Sequence, residues 1–266
     1  MAFAAPRKRL GQHFLTDRHV LARIADALAP SATETVVEIG PGRGALTEML
    51  VARAARVAAI ELDRLLAAAL RQRYDGDPRV TVIEGDVLDI SLSQAAGATK
   101  YVVAGNVPYY ITTPILFHTL RPPRPTRTVL LVQREVAERV VSAPGSEAYG
   151  ALSANVQALA RPEIVGQVSA GAFTPRPSVD SSILRLSPLA SPVVTDDEQP
   201  RFSEFVIAAF GARRKQMRRV LRTVWGIPAD EAERVLEKAQ VSLAARPEVV
   251  TPEQFATIWR QLECAP

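Results

Sequence analysis

Between residues 35 and 133, strongly apolar runs alternate with amphipathic ones, and this alternation constrains the fold more than any other feature of the chain. "ETVVEIG" reads as a buried strand and "ALTEMLVARA" as the helix after it. "RVAAIEL" and "RLLAAALRQRY" repeat the pair, and "VTVIEGD", "YVVAGN" and "TVLLVQ" supply further strands. Short β-branched runs separated by helices of 3.6-residue period build a doubly wound, mostly parallel α/β sheet. An additional helix precedes it. Thr16 and Asp17 offer an N-cap to "RHVLARIADAL", where Val20, Leu21, Ile24, Ala27 and Leu28 fall on one face.

The pattern changes after residue 160. "EIVGQVSAGAFTPRPSVDSSILRLSP" holds two strand-like runs around a proline-rich loop, a late hairpin-like pair that brings the sheet to seven strands. "SPLASPVVTDDEQP" has the Ser, Pro and acid content of a linker, and from Phe202 onward the periodicity is helical. The sequence therefore predicts a sheet domain over 1–188, with a basic N-terminal arm, and a small all-helical domain over 189–266.

Composition narrows the function. With 47% hydrophobic residues the chain can bury a sizeable core. No apolar run approaches the roughly 20 residues that span a bilayer, so no membrane association is expected. "MAFAAPRKRLG" lacks the order of charges of a secretory signal. Cys264 is the only cysteine, which leaves no internal disulfide or thiolate cluster and suits a reducing cytoplasm. His13, His19 and His118 are scattered, so no metal site is expected.

The candidate ligand residues lie where strands end. Gly40, Gly42 and Gly44 form a turn between strand and helix, which lets a ligand approach the backbone at a helix N-terminus. Glu61, Asp86 and Asn106 end the second, third and fourth strands. In an open α/β sheet these carboxyl ends line the ligand crevice. A carboxylate after the second strand can accept both hydroxyls of a ribose, and one after the third can accept the exocyclic amine of adenine. Gly40-x-Gly42-x-x-Ala45 also fits the dinucleotide fingerprint, so an oxidoreductase stays open on the glycines and Glu61. It gives no reason for Asp86 followed by "NVPYY".

These residues resemble the S-adenosylmethionine-dependent methyltransferases and, more closely, the ribosomal RNA adenine dimethyltransferases. The resemblance runs along nearly the whole chain: "KRLGQHFL", "EIGPGRGALT", "IELD", "EGDVL", "GNVPYYITTPILF", "QREVAERVVSAPGSEAYGALS" and "FTPRPSVDSSI". It implies a Rossmann-like fold, with His13, Leu15, Gly40, Gly42, Glu61, Asp86 and Asn106 at the cofactor. It also implies S-adenosylmethionine as methyl donor, S-adenosylhomocysteine as product, and no metal. The implied target is the N6 amine of adenine. Asn106 and the Val107 carbonyl would accept its two N–H bonds, Pro108 would fix those acceptors, and Tyr109 and Phe173 would stack on the base.

The implied partner is the small-subunit ribosomal RNA in a pre-mature small subunit, methylated at two adjacent adenosines near its 3′ end by a cytoplasmic monomer. A related enzyme acting on large-subunit RNA and conferring drug resistance shares the glycine turn and the Asn-x-Pro-aromatic motif. "EAYGALS" and "FTPRPSVDSS" favour the small-subunit enzyme. A non-catalytic RNA-binding factor is the other alternative, and an intact Asn106, Pro108 and Tyr109 argue against it.

"ARRKQMRRVLR" supplies the expected phosphate contacts. Arg213, Arg214, Lys215, Arg218, Arg219 and Arg222 fall within ten residues with no intervening acid. Such self-repulsion is rationalised by a polyanionic partner, with the apolar stripe turned to the domain. Arg7, Lys8 and Arg9 offer a second contact.

Overall fold

The computed structural model describes residues 12–263. The basic arm at Arg7, Lys8 and Arg9 and the lone Cys264 lie outside the described residues. The strands are β1 (Phe14–Leu15), β2 (Thr35–Ile39), β3 (Arg56–Glu61), β4 (Val80–Glu84), β5 (Tyr101–Asn106), β6 (Arg127–Gln133), β7 (Ala160–Val168), β8 (Phe173–Thr174) and β9 (Ser181–Pro188). The helices are α1 (Arg18–Leu28), α2 (Ala45–Val51), α3 (Arg64–Arg73), α4 (Leu92–Ala96), α5 (Thr112–Thr119), α6 (Arg134–Val141), α7 (Ala151–Gln157), α8 (Gln199–Gly211), α9 (Met217–Val224), α10 (Ala229–Lys238) and α11 (Pro252–Glu263).

Seven strands form one sheet in the order β4-β3-β2-β5-β6-β9-β7. The pairings β2–β3, β3–β4, β2–β5 and β5–β6 are parallel, and β9 runs antiparallel to β6. The chain starts in the middle at β2, winds outward through β3 to β4, then returns to place β5 on the other side of β2. That reversal opens a crevice at the carboxyl ends of β2 and β5, the position where open α/β sheets bind ligands. Gly40 follows one of these strands and Asn106 ends the other. Ile39 pairs with Gly105, and a Cβ on Gly105 would come 2.6 Å from the Ile39 carbonyl oxygen, so the two strand ends can approach this closely only with glycine there.

The central strands read as continuous apolar runs because both faces are covered. Val102, Ala104, Val129 and Leu131 are fully buried beneath α1, which contributes Ile24, Ala25 and Leu28. The Asp17 carboxylate caps α1 by accepting from the His19 and Val20 N–H groups, and such a cap contributes about 1 kcal/mol. Asp63 caps α3 in the same way. β1 and β8 form a separate two-stranded antiparallel ladder that pairs Leu15 with Phe173.

The chain divides into two compact units. One holds residues up to Ala137 with Pro162–Pro188, and the other holds Glu138–Arg161 with residues from Leu189 onward. Residues 138–161, which the sequence reading placed with the sheet, therefore belong to the helical unit. The physical reason is Tyr149. Its ring is 5% exposed and meets Phe210 edge-on at 5.9 Å, while its hydroxyl donates to the Val250 carbonyl at 2.8 Å. The core of this unit is aromatic: Phe205 meets Trp225 at 4.6 Å, and Phe210 meets Phe255 at 5.7 Å. Among the described residues, no helix is long and apolar enough to cross a membrane.

The basic run is not one helix. α8 ends at Gly211, so Arg213, Arg214 and Lys215 lie in the connection before α9, while Arg218, Arg219 and Arg222 lie on α9. Met217, Val220 and Leu221 bury the opposite face. Nor are all six cations open to a partner, because Arg218 donates to Glu233 of α10 at 2.7 Å. The other five make no ion pair with a described residue.

Candidate active site

Glu61 leaves β3 into the crevice with its carboxylate 6% exposed. Oε2 accepts the Gly42 N–H at 2.9 Å and Oε1 accepts the Asp63 N–H at 2.8 Å. Each oxygen keeps a further lone pair for a ligand. Burial pushes the Glu61 carboxyl above the usual range, and the N–H bonds from Asp63 and Gly42 pull it back. Those bonds depend on the turn. Gly40 and Gly42 have φ of +66° and +58°, and a Cβ on Gly42 would meet the Phe14 ring at 3.1 Å. The turn and the carboxylate thus hold each other in place.

Asp86 follows β4 and accepts the Leu88 N–H on Oδ1 at 2.9 Å, so it too is oriented by the backbone. Leu62 also lines the crevice and is 47% exposed, an apolar surface suited to a flat ring.

Asn106 ends β5. Its Nδ2 donates to the His13 carbonyl at 2.8 Å. Because the amide nitrogen is committed, Oδ1 is the atom left to accept from a substrate. Val107 is buried and its N–H donates to the Leu131 carbonyl at 3.4 Å, which ties the motif to β6. Pro108 holds φ at −58° and directs the chain into the turn before α5. The Tyr109 hydroxyl is hydrogen-bonded to Ser181 Oγ at 2.7 Å, and burial raises its pKa. The His13 ring stacks beside Tyr109 with centroids 5.9 Å apart, and its Nδ1–H donates to the Pro175 carbonyl at 2.8 Å.

The crevice therefore brings together His13, Gly40, Gly42, Glu61, Asp86, Asn106, Val107, Pro108 and Tyr109 from the residues expected on sequence grounds. Two expected residues stand elsewhere. Phe173 is 4% exposed and sits in the core with Leu15, Ile24 and Ile183, so its ring offers no face to a base. Its antiparallel pairing with Leu15 turns both side chains into that core, and Leu15 borders the adjoining groove, which shares Phe14, Gly40, Gly42 and Asn106 with the crevice.

Other crevice residues escaped the sequence reading. Phe14 seats the glycine turn, with the Arg43 guanidinium 4.4 Å over its ring. Tyr110, 58% exposed, lies beside Tyr109 on the crevice wall. The doubled Tyr of "PYY" was its signal. Outside the crevice, on the adjoining groove, Glu38 is a fully enclosed acid in "VVEIG", where a charge in an otherwise apolar strand was the signal.

A sheet of this topology, with a glycine turn after its first central strand, acids after the next two and an Asn-x-Pro-aromatic motif after the fourth, defines a methyltransferase that uses S-adenosylmethionine. The chain belongs to the ribosomal RNA adenine dimethylase family, which it matches over residues 4–263. It is 40% identical to the ribosomal RNA small subunit methyltransferase A of Geobacter sulfurreducens, over 97% of this chain and 96% of that protein. The protein of the same description from Acidobacterium capsulatum is 42% identical over 97% and 91%. Among solved structures, a dimethyladenosine transferase from Plasmodium falciparum aligns with a TM-score of 0.79 at 26% identity, over 92% of this chain and 96% of that one. The 23S rRNA methyltransferase ErmE aligns with a TM-score of 0.71 at 30% identity, over 94% and 99%.

Proposed function

We propose that the protein transfers methyl groups from S-adenosylmethionine to the N6 amines of two adjacent adenosines near the 3′ end of small-subunit ribosomal RNA. The observation that carries this reading is the Asn106 side chain, whose nitrogen is held by the His13 carbonyl and whose oxygen is left to accept an amine proton.

The residues present fit the cofactor. Glu61 has lone pairs for the two ribose hydroxyls, Asp86 can accept the adenine amine, and Leu62 can cover the adenine face. Gly40 and Gly42 let the backbone come close without a side chain in the way. The bound cofactor supplies an electrophilic methyl group on a sulfonium, which needs no metal to activate it.

The protein's task is then to present a poor nucleophile. The N6 lone pair of adenine is delocalised into the ring. Asn106 Oδ1 and the Val107 carbonyl accept its two N–H bonds, draw the nitrogen toward tetrahedral geometry and aim the lone pair. Pro108 keeps these acceptors convergent. Tyr109, anchored through Ser181, stacks on the extruded base, and such stacking contributes about 1–3 kcal/mol. Tyr110 is the exposed aromatic for the other face, in place of Phe173. Catalysis is positioning and electrostatics, and the proton leaves the acidic product amine for solvent. Arg213, Arg214, Lys215, Arg219 and Arg222 hold RNA phosphates in this reading. The protein acts as a cytoplasmic monomer on an incompletely assembled small subunit and releases S-adenosylhomocysteine.

Support for the small subunit over the large comes from the names of the relatives at about 40% identity. The test is to incubate the protein with unmethylated small and large subunits in the presence of methyl-labelled cofactor. Label is expected in the small-subunit RNA, and label confined to the large subunit would overturn the assignment.

A further inference from the structure

Glu38 is a carboxyl that the mechanism above does not use. It lies in β2, two residues before Gly40, and is 1% exposed. Its Oε2 has no hydrogen-bond partner. Two hydroxyls near it are in the same condition, Thr47 from α2 and Tyr74 from the end of α3. A buried carboxylate with an unused oxygen is costly unless it is neutralised or meets a cation. Burial pushes the Glu38 pKa up to about 8, the neighbouring Thr47 opposes this, and the charge of Glu61 adds to it.

The nearby cations are turned to other partners. Arg18 of α1 faces Glu48 at 3.9 Å and Arg73 of α3 holds Glu48 at 2.6 Å. Arg43 lies over the Phe14 ring. Glu48 itself is half exposed, which leaves Glu38 as the enclosed acid of this region.

Glu38 borders a groove that also includes Thr16 and Met49 and shares Phe14, Gly40, Gly42 and Asn106 with the crevice. A cofactor whose adenosine meets Glu61 and Asp86, and whose methyl group faces Asn106, has only its amino-acid end left to place. That end carries an ammonium and a carboxylate, and the adjoining sulfonium carries a second positive charge, so the ligand enters with a net charge of one positive.

We propose that Glu38 exchanges a proton for the cofactor, carrying the proton in the free protein and releasing it to solvent when the ammonium of S-adenosylmethionine enters the groove. This rests on the cofactor reading above. It makes cofactor binding pH-dependent through a residue that touches no RNA.

The test is titration calorimetry with S-adenosylmethionine between pH 5.5 and 7, in buffers of different ionisation enthalpy. This range lies below the titration of the ligand's own α-amine, at about 7.7–8.0. Wild type should release about one proton per cofactor bound, with affinity rising close to tenfold per pH unit. Glu38→Gln, checked for folding by circular dichroism, should bind with little change across the range. The Glu61 carboxyl, whose pKa burial also raises, meets the same ligand, and the variant separates the two. Wild-type binding without proton release, or a folded variant that releases as many protons, would overturn the proposal. If the variant fails to fold, a flat wild-type affinity overturns it and the tenfold slope supports it. Absence of binding at every pH would overturn the cofactor reading and this proposal with it.

Discussion

Replacing Glu61 with Gln tests the cofactor crevice at its most enclosed polar contact. The substitution preserves shape but leaves one oxygen where there were two. That oxygen can serve either the Gly42 N–H or the Asp63 N–H, now at 2.9 and 2.8 Å, and the new amide NH₂ points its donors at the other. A buried N–H left unsatisfied costs about 1–3 kcal/mol. Against this, the variant no longer encloses an ionisable acid. Because burial raises the Glu61 pKa, its contribution to stability is full below the unfolded-state pKa and is lost as pH rises through the folded-state value. At neutral pH these two effects oppose, so the net change in melting temperature should be small. Cofactor affinity has no such compensation. Hydrogen bonds from ribose hydroxyls to a charged acceptor contribute about 1.5–3 kcal/mol, so affinity should fall about ten- to a hundredfold. Calorimetric titration with S-adenosylhomocysteine measures this without turnover. A folded variant that binds as tightly as wild type would refute the assignment of Glu61 to the ribose.

Asn106→Ala should lower the single-turnover rate at saturating cofactor and RNA about 10²–10³-fold, because one preorganised acceptor is lost; an unchanged rate there would contradict its role. Phe173→Ala should cost about 3–5 kcal/mol of stability in a denaturant titration, as expected for a core ring, whereas Tyr109→Ala should weaken RNA turnover far more than stability. Gln in place of Arg213, Arg214 and Lys215 should flatten the dependence of log affinity on log salt by about 0.7 per lost contact on single-stranded RNA. Arg218→Gln should leave that slope alone, because it already serves Glu233, and its half-exposed ion pair contributes at most about 1 kcal/mol to stability.

The parallel sheet was legible because its central strands, from Val102 to Val132, are enclosed on both faces and therefore read as unbroken apolar runs. The strand-end acids were legible for the same reason, since each interrupts such a run. What sequence could not give was direction of packing. Phe173 reads as a candidate stacking ring in its motif, and only its pairing with Leu15 turns it into the core. Residues 138–161 read as a continuation of the sheet domain, yet the Tyr149 contact that carries them into the helical unit is made with Phe210 and Val250, far along the chain. The six cations look uniform in one dimension, and the Glu233 carboxylate that distinguishes Arg218 lies on another helix. Local pattern fixes elements; the long-range partner decides which face is left for function.

The central claim is that this crevice dimethylates adenine N6 in small-subunit RNA. The direct measurement is mass spectrometry of nuclease fragments from small-subunit RNA after reaction with wild type and with Asn106→Ala. Wild type should yield one fragment near the 3′ end carrying two adjacent N6,N6-dimethyladenosines, and the variant should yield little or none. Methyl groups on another atom or another base, or a dimethylated fragment formed equally well by the variant, would contradict the account.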